Sequence, residues 1–467
     1  MGIKAGFENK GRWAEIALAV IFAAVCAAMG AAAVIYVLIA SPAAGAAVCV
    51  GAAGIMALCA LLPRFVGKIS VKRLGFAVFI IALALRAAYV LSVESVPTSD
   101  FELLYEAACK LSQGSAEALE AEYFRLWGYQ IPFVLYEALV VSLGGGETAL
   151  ALLNALWGAL SAALVFELAS RFASRGAAFA AALIYALCPD ALMLTPALTN
   201  QCISLAFILL GVYLASFGTW KSAVGAGVAL ALGDLMRPEA ILALAGLAAA
   251  VVLALLRRED GRRGLIALVA LVLAYIALKL AVSGAVAISG IAPNGTGNAA
   301  PEWKFVLGLD TATGGTYDGE LGYILSITDA AERREAALDA IRTSLGQAGG
   351  LGGVLMFFAQ KAASFWGRFE DSWLGVENAS DSLMQYAGRA VFIAMCALAA
   401  AGASTRRADF AARAARAVVC VNFAAYLLIE IQPRYRYFVL PFICVLAASG
   451  VERLMPLLSG HPRPKRV

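Results

Sequence analysis

The chain has 467 residues, of which 62% are hydrophobic and only 15% are charged, and its formal net charge is +4. Soluble domains carry about a quarter charged residues, so this composition argues against a soluble enzyme. Long apolar segments recur from end to end, which predicts a polytopic membrane protein. The alternating pattern of an outer-membrane barrel is absent. We therefore predict an all-α protein, because helices satisfy their own backbone hydrogen bonds in lipid.

Apolar segments of helical length predict about twelve transmembrane helices. In chain order they cover 16–40, 44–62, 75–93, 148–170, 176–194, 201–217, 223–236, 240–256, 265–285, 389–404, 417–429 and 437–457. With this arrangement every basic loop falls on one side, including the loop with Arg413 and Arg416, and both acidic regions fall on the other. Cytoplasmic loops are rich in Lys and Arg, so we expect a multi-pass protein of the cell inner (plasma) membrane with both termini cytoplasmic.

A short apolar segment, 131–143, departs from the pattern because it contains Glu137 and ends in three glycines. A full crossing there would move Arg171 and Arg175, at the end of the next span, to the acidic side. We therefore interpret this segment as an in-plane or re-entrant helix of the first outer loop.

Four regions follow from these boundaries. An N-terminal two-helix membrane addition covers 1–74, and a transmembrane core with its first outer loop at 94–147 covers 75–289. The extracytoplasmic loop region 290–386 carries an amphipathic helix near 353–366, which is typical of helices that lie at a membrane surface. C-terminal transmembrane helices and a basic cytoplasmic tail cover 387–467.

Polar residues near the predicted outer surface are the candidates for chemistry, because charges inside membranes are usually functional or mutually paired. They fall in five groups: Asp100 with Glu102; Asp190 with its neighbours; Asp234 with Arg237 and Glu239; Lys279; and the run from Glu430 to Tyr437. A carboxylate base with several guanidinium groups suits one reaction. The base takes a proton from an acceptor, and the arginines hold a phosphate that leaves with its charge.

The first group, Asp100 and Glu102, also has a purely structural interpretation. Asp100 fits the first turn of a helix, where a carboxylate is stabilised by the helix dipole. Ser99 and Glu102 fit the S-x-x-E capping box, which would make Glu102 a helix-start residue.

The other groups also have structural alternatives. Asp234 and Arg237 lie three residues apart and fit an ion pair on one helix turn. Lys279 fits a lysine that extends to the outer headgroups. Arg434 and Arg436 fit a loop that binds any anionic headgroup.

Six stretches, in this order, carry a resemblance to a known family. They are 86–114, 123–146, Leu153-Asn154-Ala155-Leu156 running to Arg171, Cys188-Pro189-Asp190-Ala191-Leu192, Arg237-Pro238-Glu239-Ala240, and Gln432-Pro433-Arg434-Tyr435-Arg436 followed by Pro441. The chain resembles the GT-C superfamily of integral-membrane glycosyltransferases. Within it, the chain is similar to the branch of protein O-mannosyltransferases and the lipid A aminoarabinose transferase, glycosyltransferase family 39.

The resemblance implies an inverting transfer, on the extracytoplasmic side, of a sugar from a polyprenyl-phosphate donor to a cell-envelope acceptor. Asp100 matches the catalytic base of the first outer loop, and Arg434 or Arg436 matches the donor-phosphate contacts. The remaining expected substrate-binding residues are Glu102, Asp190, Arg237, Lys279 and Tyr435. The base is followed by Phe101 rather than a second acid, which argues against a protein acceptor.

Two other functions are compatible with this sequence. One is a transporter or flippase of a lipid-linked glycan, although transporters usually show internal repeats. The other is a non-catalytic envelope-assembly protein that keeps the fold. Some relatives in the wider superfamily use a metal, but the acids here form no clear ligand set, so we predict neither metal nor cofactor.

Overall fold

The computed structural model describes residues 2–257, 259, 261–292, 294–369, 382–403 and 409–459. The basic residues predicted at 404–408 and in the C-terminal tail from 460 lie outside the described residues. Within the described part the chain forms helices and turns without a strand.

The α-helices, in chain order, are α1 (Gly2–Ala40), α2 (Pro42–Val66), α3 (Val71–Ser92), α4 (Asp100–Ser112), α5 (Glu122–Leu126), α6 (Ile131–Ser142), α7 (Glu147–Ser170), α8 (Arg175–Ala186), α9 (Pro189–Met193), α10 (Gln201–Ala215), α11 (Trp220–Met236), α12 (Ala240–Leu256), α13 (Gly261–Ile288), α14 (Trp303–Gly308), α15 (Ala330–Gln347), α16 (Gly350–Gly367), α17 (Ser382–Gly402), α18 (Phe410–Leu428) and α19 (Leu440–Ser459). Short 3₁₀ helices cover Glu117–Glu120, Gly128–Gln130, Glu320–Ser326 and Pro433–Phe438.

The prediction of an all-α polytopic membrane protein is confirmed. Among the described residues, eight helices are long and apolar enough to cross a membrane, namely α1, α2, α3, α7, α13, α17, α18 and α19. Each of the other four predicted spans falls on a shorter helix: α8, α10, α11 or α12. The segment predicted to lie in plane is α6, which has only 12 residues and packs against α4.

One predicted span, 176–194, is broken, because α8 ends at Ala186. Pro189 has no N–H to donate to the carbonyl of Tyr185 four residues earlier. Arg86 of α3 donates to the carbonyls at this break, with Nη1 at 2.9 Å from the oxygen of Ala186 and Nη2 at 3.3 Å from that of Tyr185, which also accepts from the backbone N–H of Cys188 at 3.2 Å. A Cβ at Gly158 would lie 2.6 Å from Nε of Arg86, so this arginine needs a glycine beside it.

The prediction that Arg413 and Arg416 lie in a loop is wrong, since α18 begins at Phe410 and buries both. Asp409 caps this helix by accepting from the backbone N–H of Ala411 at 2.8 Å, which starts it ahead of the arginines. Arg413 pairs with the buried Glu15 of α1, Nε to Oε1 at 3.1 Å. The N-terminal helix is thus joined to the core by a buried ion pair.

The described part of the region 290–386, called the outer region after its predicted side, packs directly on the segment 94–147, the predicted first outer loop. Trp127 and Asn298 form an isolated antiparallel bridge, and Gly128 approaches so closely that a Cβ there would lie 2.8 Å from the carbonyl oxygen of Gly297. The predicted amphipathic helix is α16, whose Trp366 is buried and stacks on Phe392 of α17. These contacts bring the outer region over the end of the bundle that carries Asp100.

Candidate functional site

Asp100 is the first residue of α4, and its side chain is exposed. The preceding Ser99 has φ +55°, the one positive φ of a non-glycine residue in the described part of the chain. Such a conformation costs about 1–3 kcal/mol and persists only where the surroundings hold it. The side chain of Ser99 makes no cap bond, so the capping-box interpretation of Glu102 is wrong. Glu102 is exposed on the same first turn.

Three cations from three parts of the chain surround the buried ring of Tyr435, in the 3₁₀ helix after α18. The Cζ of Arg237 lies 5.0 Å from the ring centroid, the Cζ of Arg434 5.7 Å, and the Nζ of Lys304 5.7 Å. These distances fall in the range of cation–π contacts. We refer to Arg237, Lys304 and Arg434 as the Tyr435 cation cluster.

The Tyr435 cation cluster meets the segment that carries Asp100. The Cζ of Arg434 lies 4.9 Å from the ring centroid of Phe101, the residue after Asp100. Burial raises the pKa of the phenols of Tyr123 and Tyr129, the negative charge of Asp100 raises it further, and Lys304 opposes both. The carboxylate of Asp100 and the ammonium group of Lys304 therefore both lie close enough to change the pKa of these two phenols.

The cations of the cluster differ in how their charge is compensated. Arg237 pairs with Glu239, Nε to Oε1 at 2.8 Å, and Lys304 pairs with the buried Glu430. Burial lowers the pKa of Lys304, but Tyr435 and Glu430 outweigh this effect and raise it above its ordinary value. Arg434 has no carboxylate within ion-pair distance in the described residues, and its buried Nε donates no hydrogen bond there. A positive charge is thus left available for a ligand.

Amide side chains at the start of α10 hold the cluster in place. Asn200 donates to Oε1 of Gln130 at 3.1 Å, and its Oδ1 accepts from Nη1 of Arg237 at 3.3 Å. Gln201 donates from Nε2 to the backbone carbonyl of Arg434 at 2.9 Å. The segment 94–147, the start of α10 and the 3₁₀ helix Pro433–Phe438 are therefore connected through one hydrogen-bonded layer.

Two of the residues predicted to bind substrate have buried partners within the protein. Asp190, on α9, forms a fully buried ion pair with Arg389 of α17. Arg436 is 1% exposed and donates from Nη1 to the backbone carbonyls of Phe365 at 2.9 Å and Arg368 at 2.7 Å, at the end of α16. Asp190 thus joins α9 to α17, Arg436 joins the 3₁₀ helix Pro433–Phe438 to the end of α16, and neither belongs to the Tyr435 cation cluster.

Lys279, on α13, is paired with Asp234 of α11, Nζ to Oδ2 at 2.5 Å. The same oxygen accepts from the hydroxyl of Tyr275 at 2.7 Å, and the other oxygen of Asp234 accepts from the first backbone N–H of α12 at 3.0 Å. The alternative that Asp234 pairs with Arg237 is therefore wrong. Asp234 joins three helices, and Lys279 neutralises it.

Lys304, Tyr123 and Tyr129 belong to the site, but the sequence did not mark them as site residues. Lys304 lies in a polar region with several other charged residues, and no local pattern distinguishes it. Its position depends on the backbone hydrogen bond from Glu430 N–H to its carbonyl at 2.9 Å, a contact between residues 126 positions apart. Among the described residues, no group of three or more His, Cys, Asp or Glu side chains is placed to hold a metal ion.

Comparison with known proteins supports the resemblance seen in the motifs. Residues 132–283, about a third of the chain, match the model of the family described as dolichyl-phosphate-mannose-protein mannosyltransferase. The match runs from α6 to α13 and includes Asn200 and Arg237. No curated protein matches the chain. The chain is therefore a multi-pass membrane protein that resembles the GT-C glycosyltransferases, and the match supports a membrane glycosyltransferase of that type.

Proposed function

We propose that the chain is an inverting glycosyltransferase that moves a sugar from a polyprenyl-phosphate donor to a cell-envelope acceptor on the extracytoplasmic face. The observation that carries this proposal is the position of Arg434. Its guanidinium lies between Phe101, beside the candidate base Asp100, and Tyr435, among two further cations. A candidate base beside a cationic cluster suits transfer from a sugar phosphate, because the reaction needs a proton acceptor and stabilisation of the leaving phosphate.

In the proposed reaction, Asp100 accepts the proton of an acceptor hydroxyl while that oxygen attacks the anomeric carbon. The bond from this carbon to the phosphate oxygen breaks, and the phosphate leaves with the electron pair. Arg434, Lys304 and Arg237 stabilise the charge that develops on it. The fork of Arg434 matches two phosphate oxygens, which a lysine cannot do. The positive φ of Ser99 sets the direction in which the chain enters α4, where Asp100 is the first residue.

The remaining expectations become part of this proposal. The prenyl chain of the donor lies among the apolar helices, and both termini of the chain are cytoplasmic in the inner membrane. Glu102, exposed on the first turn of α4, contacts the substrate rather than capping the helix. Asp190, Lys279 and Arg436 act on the substrate only through the helices that they hold together.

The experiment is transfer of labelled sugar from a panel of polyprenyl-phosphate donors in membranes that contain the native chain, Asp100→Asn or Glu106→Gln. Glu106 is an exposed carboxylate further along α4, and it serves as the matched control. We expect product with the native chain and the control, and a loss of about a hundredfold or more with Asp100→Asn.

Equal product from Asp100→Asn and the native chain would remove Asp100 from its role. If no donor gives product but labelled lipid crosses the bilayer of vesicles that contain the protein, the transporter alternative replaces the transferase.

A further inference from the structure

A series of hydrogen bonds joins the Tyr435 cation cluster to Tyr123 of α5, a residue to which the proposed reaction gives no role. Nη1 of Arg237 lies 3.3 Å from Oδ1 of Asn200, and Nδ2 of Asn200 lies 3.1 Å from Oε1 of Gln130. Nε2 of Gln130 then lies 3.3 Å from the hydroxyl oxygen of Tyr123. We refer to the side chains of Arg237, Asn200, Gln130 and Tyr123 as the Arg237–Tyr123 network.

Each hydrogen bond in this network has a defined direction. A guanidinium donates and never accepts, so Arg237 requires the carbonyl oxygen of the Asn200 side chain. The amide nitrogen of Asn200 is then left to donate to the carbonyl oxygen of Gln130. The amide nitrogen of Gln130 in turn donates to Tyr123. The orientation of both amides thus follows from the charge of one arginine.

Burial keeps the two amides in this orientation. Asn200 is 4% exposed and Gln130 is 9% exposed, so little water reaches them to replace a lost partner. Reversing either amide would place two donors or two acceptors against each other, and a buried polar group without a partner loses its hydration without compensation. Arg237, at the start of the series, is itself held by Glu239, Nε to Oε1 at 2.8 Å.

The network determines what the Tyr123 hydroxyl offers to its surroundings. Its oxygen accepts from Gln130, so its proton is left to donate. Among the described residues, Gln130 is the one hydrogen-bond partner of this hydroxyl. The side chain is half-buried, so a bound molecule has access to it. The partner that fits the proton is an oxygen atom of that molecule.

Tyr123 lies close to both the candidate base and the cations. Its ring packs against the hydrophobic cluster that contains Leu104 of α4, one helix turn after Asp100. The charges of Asp100 and Lys304 both change the pKa of its phenol, in opposite directions. In the proposed reaction the acceptor lies beside Asp100 and the phosphate beside Lys304. The transferred sugar is the part of the substrate that connects the two.

We propose that the Tyr123 hydroxyl donates a hydrogen bond to an oxygen of the sugar in a lipid-linked sugar phosphate, and that Gln130 and Asn200 are positioning residues that set the direction of this bond. The identity of the ligand rests on the proposed glycosyl transfer. Arg237 binds the phosphate and, through the Arg237–Tyr123 network, orients the Tyr123 proton towards the sugar. Recognition of the sugar and of the phosphate is thus connected through one arginine.

Binding is measured with the full chain in nanodiscs of neutral phosphatidylcholine. The labelled probes are decyl mannosyl phosphate, decyl glucosyl phosphate and decyl arabinosyl phosphate, and decyl methyl phosphate is the sugar-free reference with the same charge. We expect at least one sugar ester to bind the native chain more tightly than the methyl ester. Tyr123→Phe should lower this preference about three- to tenfold, as expected for one hydrogen bond, and leave the affinity for decyl methyl phosphate unchanged.

Gln130→Glu tests the direction of the bond. At pH 8 the introduced carboxylate only accepts, so the Tyr123 proton turns towards position 130 and away from the ligand. We expect the same loss of preference as with Tyr123→Phe, and no further loss when the two changes are combined. Tyr136→Phe is the matched control, because it removes a hydroxyl of α6 that accepts from Nε1 of Trp157 at 3.3 Å. Thermal unfolding of each variant shows that it is folded.

An unchanged preference in folded Tyr123→Phe would overturn the proposal, and so would a native chain without any preference for a sugar ester. An equal loss of affinity for decyl methyl phosphate would also overturn it, because the hydroxyl would then bind the phosphate. Asp100→Asn separates the two proposals, since it should abolish transfer and keep the preference. A native chain that shows the preference but transfers no sugar would reject the transferase alone. Transfer by a native chain whose preference survives Tyr123→Phe would reject the role of Tyr123 alone.

Discussion

At the scale of single residues, Arg434 differs from the other two cations of the Tyr435 cation cluster because it has no carboxylate partner in the described part of the chain. Its two neighbours in the Tyr435 cation cluster each have a carboxylate partner. Among the described residues, the guanidinium of Arg434 contacts aromatic rings and no carboxylate, and its backbone carbonyl accepts from Gln201. Keeping an uncompensated guanidinium half-buried is unfavourable without an anion. In the proposed reaction, we therefore expect donor affinity and rate to be most sensitive to substitution of Arg434.

We predict that Arg434→Ala lowers kcat/KM for the polyprenyl-phosphate donor by about a hundredfold or more, as expected for loss of one donor to a developing anion. Arg434→Lys keeps the charge but loses the fork, and should retain part of that activity. Steady-state transfer at varied donor concentration measures both variants. Arg125→Ala, in the exposed part of α5, is the control. Full activity of Arg434→Ala would show that the phosphate binds elsewhere.

At the scale of elements, α16 connects the outer region to the bundle through a buried lysine. The Nζ of Lys361 donates to the carbonyls of Leu427 at 3.0 Å and Ile429 at 2.9 Å, and also to that of Gly308. The carbonyls of Leu427 and Ile429 lie at the end of α18, just before Glu430. The carbonyl of Gly308 lies at the end of α14, the helix that carries Lys304. The helix was predictable from its amphipathic pattern, but its docking was not, because docking depends on carbonyls supplied by distant segments.

Burial lowers the pKa of Lys361 from its ordinary value to about 8. Because the folded pKa lies below the unfolded one, the unfolded chain binds more protons above pH 8, and the free energy of unfolding rises from about pH 8 to about pH 10. We predict that thermal unfolding in detergent shows this rise for the native chain and a weaker one for Lys361→Met. Parallel profiles for the two proteins would exclude Lys361 as the titrating group.

At the scale of the whole molecule, the sequence predicted the helices better than it predicted the site. Spans were visible because each must be apolar over a fixed length. Asp100, Arg237, Arg434 and Tyr435 were also predicted as site residues, because charged or aromatic groups near a membrane boundary are conspicuous. Lys304 could not be found in this way, since its position is set by tertiary contacts between segments far apart in the chain.

The expectation that the site holds no metal remains a prediction, and the positive charges of the chain give it a physical reason. The Tyr435 cation cluster brings three positive charges of the chain itself to the proposed phosphate site. We predict that transfer proceeds at the same rate after dialysis against EDTA as before it. Loss of transfer with EDTA, and its recovery with Mg²⁺ or Mn²⁺, would contradict this.

The contact between Arg86 and the end of α8 has an evolutionary consequence. Pro189 removes a backbone donor, Arg86 donates to the carbonyls at this break, and Gly158 leaves room for its side chain. While the proline is present, loss of Arg86 leaves the Ala186 carbonyl without this donor, and a side chain at position 158 displaces the guanidinium, so either change is harmful alone. Among homologues these three positions should vary as a set: a lineage that loses the proline is free to lose the arginine and the glycine as well.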